Sequence, residues 1–442
     1  MALSLPFSLS LSYVPLTLAL VLSFYEVLRR KASYPKDFLL FVLLYVWRSL
    51  SLLLNGLPIK PVKDVYDKFP YPVFSVLRLS EGRLNALLLA LALSSSVVAS
   101  LGILGAFSGA FRTGWVYTEC RGECELTVKR STDIMAVILT DKKRNYFING
   151  PRIAQNRSVH LGPGEYTFYS YAGAIVKVRK GDVALGEGWK GRFEERRFYN
   201  FTSFVGFYDH KMHSGAVFGI LTLLFLSVGL FYRWRYLVFV PPVFTALILT
   251  EAKAYILATL LLSLALLYHR ARLFRLYPYV VLWSVPVVTA GLLYSPLRAG
   301  FLWSLKARVN FWKVGVEAFP SSPVFGVGYD HVSSLLKPYY VKGLIDNTAH
   351  LHSSYLNALV ETGVVGLILV LIMVVYFTLK FLTASEKGPD YVRAFLRGVG
   401  VAIVLVGVVG IVETNSDTAI LNLLLTFIMG VGEAVRRSNV PP

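Results

Sequence analysis

Ten apolar runs, most of them long enough to cross the roughly 30 Å hydrocarbon layer as helices, constrain this 442-residue chain more than any other feature. They are Leu5 to Leu28, Phe38 to Leu54, Leu84 to Phe107, Gly215 to Tyr232, Tyr236 to Leu249, Ala254 to Tyr268, Tyr277 to Tyr294, Tyr355 to Leu382, Phe395 to Val412 and Thr418 to Val435. With 55% hydrophobic residues and a mean hydropathy of +0.56, the chain is too apolar for a soluble globule. It reads as an α-helical polytopic membrane protein of about ten transmembrane helices. The fifth and sixth runs are short, and the Thr250-Glu251-Ala252-Lys253 sequence between them predicts a broken helix with polar groups at depth.

The net charge of +19 does not point to nucleic acid, because the basic residues flank apolar runs rather than forming one solvated stripe. Membrane lipids and phosphates are the expected partners. Arg233-Trp234-Arg235, the His269 to Arg275 turn, the Lys387 to Arg393 turn and Arg436-Arg437 fall on one side, which the positive-inside rule makes cytoplasmic. The remaining loops then face outward. A ten-span count leaves Arg29-Arg30-Lys31 and Lys36 outside, against the rule, and Pro58 to Arg83 is a place for a re-entrant piece. The first run lacks a basic leader region and a small-residue cleavage site, so it is expected to be an anchor helix.

Between Phe111 and Phe201 the pattern changes to short β-branched runs, Ile134 to Leu139, Glu165 to Tyr171 and Ala174 to Val178, broken by Gly162-Pro163-Gly164 and Gly181-Asp182. A small extracytoplasmic β-sandwich inserted at 111–205 is expected. Cys120 and Cys124 suit a disulfide closing a tight hairpin, with two free thiols as the alternative, and Asn156-Arg157-Ser158 and Asn200-Phe201-Thr202 are glycosylation sequons. Flanking this insert, the predicted segments are N-terminal helices at 1–110, central helices at 206–294, an external loop at 295–354 and C-terminal helices at 355–442.

That external loop collects basic and histidine residues. Leu302, Leu305, Val309, Trp312, Val316 and Phe319 recur at helical spacing, predicting a helix lying along the bilayer surface with Arg308 beside the apolar seam. Its guanidinium can hold an anionic headgroup or simply snorkel. At the far end, Ser353 or Ser354 can cap the eighth span. His352 stands just outside that first turn, where backbone N–H groups favour an anion and a histidine can take a proton. Interfacial histidines satisfied by backbone or water are the bland alternative for His350 and His352. Other outward polar groups are Lys253, Glu251, Asp209-His210-Lys211 and Glu413-Thr414-Asn415-Ser416-Asp417. None of them forms a divalent-metal pattern, and no cofactor is expected.

In order, Gly206-Phe207-Tyr208-Asp209-His210-Lys211, Leu249-Thr250-Glu251-Ala252-Lys253-Ala254, Arg308-Val309-Asn310-Phe311-Trp312 with Pro323-Val324-Phe325-Gly326-Val327-Gly328, and His352-Ser353-Ser354-Tyr355-Leu356-Asn357-Ala358-Leu359-Val360-Glu361-Thr362-Gly363-Val364-Val365-Gly366 resemble the O-antigen ligase and polymerase superfamily of membrane glycosyltransferases. The resemblance implies a GT-C-like helical fold and an inverting, metal-independent transfer of a glycan from a polyprenyl- or dolichyl-linked pyrophosphate donor to a lipid or protein acceptor on the outer face. It implies that Arg308 holds the pyrophosphate and His352 takes the acceptor proton, with Lys253, His210, Lys211, Tyr355 and His350 at the substrate. Lys253 stands where the family usually carries arginine, which keeps the charge and loses the bidentate fork. A repeat-unit polymerase is the alternative within the superfamily. A transporter or flippase for a lipid-linked anion is the alternative outside it.

Overall fold

The structure, a computed structural model, describes residues 9–30, 33–59, 68–108, the strands between 112 and 204, 211–250, 252–271, 298–341, 350–414 and 418–439. The chain divides into two compact units, one of Met1–Ser100, Phe207–Val332 and His350–Pro442, the other of Leu101–Gly206 and Ser333–Ala349. In chain order the helices are α1 Leu9–Arg30, α2 Phe38–Leu54, α3 Pro70–Ser75, α4 Glu81–Ser108, α5 Lys211–Phe231, α6 Val240–Leu249 entered through a 3-10 turn, α7 Lys253–Arg270, α8 Arg298–Ala318, α9 Val332–Val341, α10 Ser354–Ala384, α11 Asp390–Val409 and α12 Ala419–Asn439.

Among the described residues five helices, α4, α5, α10, α11 and α12, are long and apolar enough to cross a membrane, and α2 and Trp234–Leu249 are shorter apolar helices. Leu89, Leu93 and Val97 on α4, and Ile368, Leu371, Ile372, Val375 and Leu379 on one side of α10, are exposed large apolar residues. Contiguous apolar faces of this kind belong against lipid, and the chain is a multi-pass membrane protein. The seventh expected span, Tyr277 to Tyr294, lies outside the described residues. The break expected around Thr250 to Lys253 is present, since α6 ends at Leu249 and α7 starts at Lys253.

Helix α5 forms the centre, with Phe218, Leu221, Leu224 and Phe225 fully buried. Small residues let its neighbours approach: a Cβ on Gly219 would meet Thr259 of α7 and Leu405 of α11, and one on Gly398 of α11 would meet Leu224. Close backbone packing replaces the hydrophobic drive that lipid removes.

In the second unit, β1 Arg112–Cys120, β2 Cys124–Arg130, β3 Ile134–Asp141, β4 Arg144–Asn149, β5 Ser158–Leu161, β6 Gly164–Ser170, β7 Ile175–Arg179, β8 Val183–Leu185 and β9 Ser203–Phe204 form two antiparallel sheets, ordered β4-β3-β6-β1-β9 and β5-β2-β7-β8. The hairpin expected between Cys120 and Cys124 is corrected. Strand β1 pairs with β6 and β9 while β2 pairs with β5 and β7, so the link between the cysteines crosses from one sheet to the other. A short spacing suits either connection equally well. The packing of the sheets on each other, which the expected sandwich concerns, and both sequon asparagines lie outside the described residues.

The basic turns gather at one end of the helices. Arg233 pairs with Glu81 at the start of α4, the Phe231 ring meets His269 and the Arg397 guanidinium, and Tyr391 donates to Asn439 at 2.7 Å. The segment Ser33 to Asp37 joins this end, because Lys380 pairs with Asp37 and Arg437 Nη1 donates to the Ser33 carbonyl at 2.7 Å. The expectation that Lys36 lies on the opposite side is therefore overturned. Asn55 donates to the Gly326 carbonyl at one end of α2, whereas Tyr71 of α3 donates to Asp37 at the other. Asn55 and Tyr71 thus stand at opposite ends of α2.

Helix α10 is kinked at Gly363, whose φ of 70° lies in the left-handed region. Into this break fits Pro323 to Gly328. Val327 N–H donates to Val360 O at 2.9 Å, Gly328 N–H to Glu361 O at 3.0 Å and Val364 N–H to Pro323 O at 2.8 Å. From α2, Trp47 donates to Thr362 O at 2.7 Å and Ser51 to the Phe325 and Glu361 carbonyls at 2.6 and 2.9 Å. The carbonyls freed by the kink are thus satisfied by a loop and a second helix, as a buried backbone requires. A Cβ on Gly363 would lie 1.9 Å from the Val324 carbonyl oxygen. Gly363→Ala is expected to cost more than the ~1–3 kcal/mol of left-handed strain alone. Gly56→Ala, at φ +66° with open space around it, is expected to show only the strain, and comparing melting temperatures of the two variants checks the difference.

Candidate active site

The first turn of α10 is fixed before any function is considered. Ser353 is its N-cap, in extended conformation, and accepts from Leu356 N–H at 3.3 Å. Ser354 N–H donates to the carbonyls of Gly410 and Glu413 at 2.8 and 3.1 Å, and the Tyr355 hydroxyl donates to Gly407 O at 2.8 Å. This turn is thereby tied to the chain leaving α11. On the other side Leu351 N–H donates to the buried Asn357 side chain at 2.8 Å. Held between these bonds, His352 adopts φ 51°, a conformation in which histidine is uncommon but enriched over most residues.

Against this loop packs α8. Its buried face is Phe311, Val314 and Gly315, whereas Val309 and Val316 of the expected apolar seam are exposed. The cause is Gly315, where a Cβ would meet Leu351 at 2.9 Å and Leu356 at 3.1 Å. The missing side chain lets α8 seat on the His352 loop, and two apolar stripes on one helix cannot be ranked by periodicity. Arg308, one turn before Phe311, consequently points inward. The Phe311 and His352 rings lie 5.2 Å apart, and His350 stands edge-on to His352 at 4.6 Å.

Glu413 joins the two expected catalytic residues. Its carboxylate pairs with Arg308 Nη2 through Oε1 and faces His352 Nδ1 at 3.6 Å through Oε2, while Arg308 Nε donates to Val412 O at 3.1 Å. The carboxyl is 9% exposed. Burial pushes it up, but His352 and Arg308 outweigh burial and hold it below its ordinary value, as opposite charges at contact do. Three buried polar atoms lack a hydrogen-bond partner around this cluster: Trp312 Nε1, His352 Nδ1 and Thr414 Oγ1. Buried polar atoms without a partner are rare in native proteins.

Of the other expected site residues, Lys253 is exposed at the first position of α7. Two residues on, Tyr255 is buried. Lys211 begins α5, with its side chain undescribed, and His210 lies outside the described residues. Sequence reading missed Glu413 as a site residue, although an acidic group at the end of an apolar span is costly unless paired or used.

The cluster lies at the end of α11 opposite the basic turns, because α11 runs 20 residues from Asp390, about 30 Å, before the chain reaches Glu413. Residues 211–371, which hold Arg308 and His352 but not Glu413, match the O-antigen ligase family model. Over 113 residues the chain is 34% identical to the exopolysaccharide production protein ExoQ of Rhizobium meliloti (strain 1021), covering 22% of this chain and 24% of that protein. The match spans about a quarter of that relative's length. Together these similarities support an O-antigen ligase and polymerase type of family for this membrane protein.

Proposed function

We propose that the chain is a membrane glycosyltransferase of O-antigen ligase type. It moves a glycan from a polyprenyl- or dolichyl-linked pyrophosphate to an acceptor hydroxyl on the outer face. The observation that most supports this is that one buried carboxylate, Glu413, contacts both the Arg308 guanidinium and the His352 imidazole. A carboxylate facing Nδ1 orients the ring so that Nε2 can accept a proton. The acceptor hydroxyl gives its proton to His352 as its oxygen bonds to the anomeric carbon. The bond to the carrier phosphate breaks with its electron pair on the departing pyrophosphate, beside Arg308. One displacement of this kind inverts the anomeric centre. Lys253 and His350 are assigned to the substrate, as are His210 and Lys211, and Tyr355 positions the turn through Gly407.

Charge stabilisation by Arg308 and Lys253 in this scheme requires no divalent ion. The test is turnover of a polyprenyl-pyrophosphate-linked glycan by purified protein in excess chelator. Transfer that persists in chelator, falls in Lys253→Ala and survives in Lys253→Arg supports the proposal. A strict divalent requirement removes the metal-free scheme, and full turnover in Lys253→Ala removes the assignment of that residue. The name of the ExoQ relative, exopolysaccharide production, favours a second reading in which the acceptor is itself a growing glycan. Product length separates the two, a ladder of repeats for a polymerase and single transfer for a ligase.

A further inference from the structure

At the other end of the helices from Glu413, an open cleft of about 520 Å³ lies between the start of α2 and the ends of α10 and α12. Its floor is an ion network. Glu433, 1% exposed, pairs with Lys380 Nζ at 2.8 Å, Arg436 Nη2 at 2.9 Å and Arg437 Nε at 2.9 Å, and Lys380 also pairs with Asp37. Two carboxylates therefore serve three cations. Lys36 and Lys387 stand exposed on the rim of the same cleft and pair with no carboxylate among the described residues. Five basic groups against two acidic ones leave the cleft with a surplus of about three positive charges.

The network is more than a scatter of topology-setting charges. Arg436 engages Glu433 through both Nε and Nη2 at 2.9 Å, and Arg437 reaches across to the Ser33 carbonyl, so these guanidiniums are held in place. A paired basic floor with two exposed lysines at the rim suits an anion that arrives from solvent or from the membrane surface. The helix C-termini here carry partial negative charge, which a bare cation surplus must exceed, and buried pairing at Glu433 does not neutralise the rim. We propose that this cleft is a second anion site, distinct from the Arg308 cluster, that binds a phosphate group at the basic end of the helices, contacted by Lys36 and Lys387 above Arg436 and Arg437.

The phosphate group can belong to an anionic phospholipid headgroup or to free phosphate, and two arms separate them. In the first, the purified full chain is titrated with phosphatidylglycerol and with phosphatidylcholine in native mass spectrometry. In the second, inorganic phosphate is titrated against thermal stability. Lys36→Ala with Lys387→Ala is the variant, since both lysines are exposed and the fold does not rest on them, and Arg270→Ala, exposed at the end of α7, is the control. At roughly fivefold per lysine near a membrane surface, the double variant is expected to bind phosphatidylglycerol about 25-fold more weakly, with Arg270→Ala unchanged. A phosphate-induced shift lost in the double variant, with no lipid preference, assigns the site to free phosphate. Equal binding of both lipids with no phosphate shift overturns the proposal, and so does an equal loss in Arg270→Ala. None of these outcomes depends on glycan transfer, so the site stands or falls separately from the proposed reaction.

Discussion

Replacing His352 by alanine is expected to lower glycan transfer by roughly two to four orders of magnitude, the usual contribution of a positioned general base. The protein should remain folded. His352 sits at φ 51°, and alanine there adds about 1–2 kcal/mol of strain, so the alanine variant alone mixes chemistry with backbone. His352→Asn separates them, because asparagine tolerates the left-handed region and cannot act as a base near neutral pH. Both variants are expected to lose turnover, with the asparagine protein melting close to the wild type. An asparagine variant that keeps full turnover removes the base assignment.

The second large effect is expected at Glu413. Removing one member of a buried pair leaves the other uncompensated, a cost of about 3–5 kcal/mol for fully buried partners. Arg308 is 24% exposed, which water partly offsets, so Glu413→Ala is expected near the lower end of that range. Glu413→Gln keeps the shape and loses the charge. Because the folded carboxyl is held below its ordinary value of 4.5, the folded protein binds that proton less tightly than the unfolded chain. Its stabilisation is fully present above that value and is lost as pH falls through the lowered one. Wild-type stability should therefore drop on acidification where Glu413→Gln does not follow it. Parallel acid profiles for the two proteins would count against the paired carboxylate.

Much of this was legible in the sequence, and the exceptions have physical causes. The cap at Ser353, the break before Lys253 and the grouping of basic turns rest on local signals or on charge, which sequence carries directly, whereas the joint roles of Arg308 and His352 were implied by the family resemblance. The direction of Arg308 was not legible, because it depends on Gly315 admitting Leu351 and Leu356, a contact between segments far apart in the chain. Nor was the kink at Gly363, since a glycine in an apolar run looks like any small helix residue until a loop such as Pro323 to Gly328 fills the gap. The placement of Lys36 failed because a count of apolar runs does not say which end of the bundle a short polar segment joins. The link between Cys120 and Cys124 was misread because hairpin and sheet crossing share one spacing.

Energetic coupling across the cluster is the most direct measure of whether Glu413 acts through the imidazole it faces. In a double-mutant cycle on transfer rate, Glu413→Gln and His352→Asn are each expected to be strongly impaired. The double variant should be much less impaired than the product of the two losses, as residues acting as a unit behave. A double variant whose loss equals that product would show that the two residues act independently, and would contradict a site built on their shared contact.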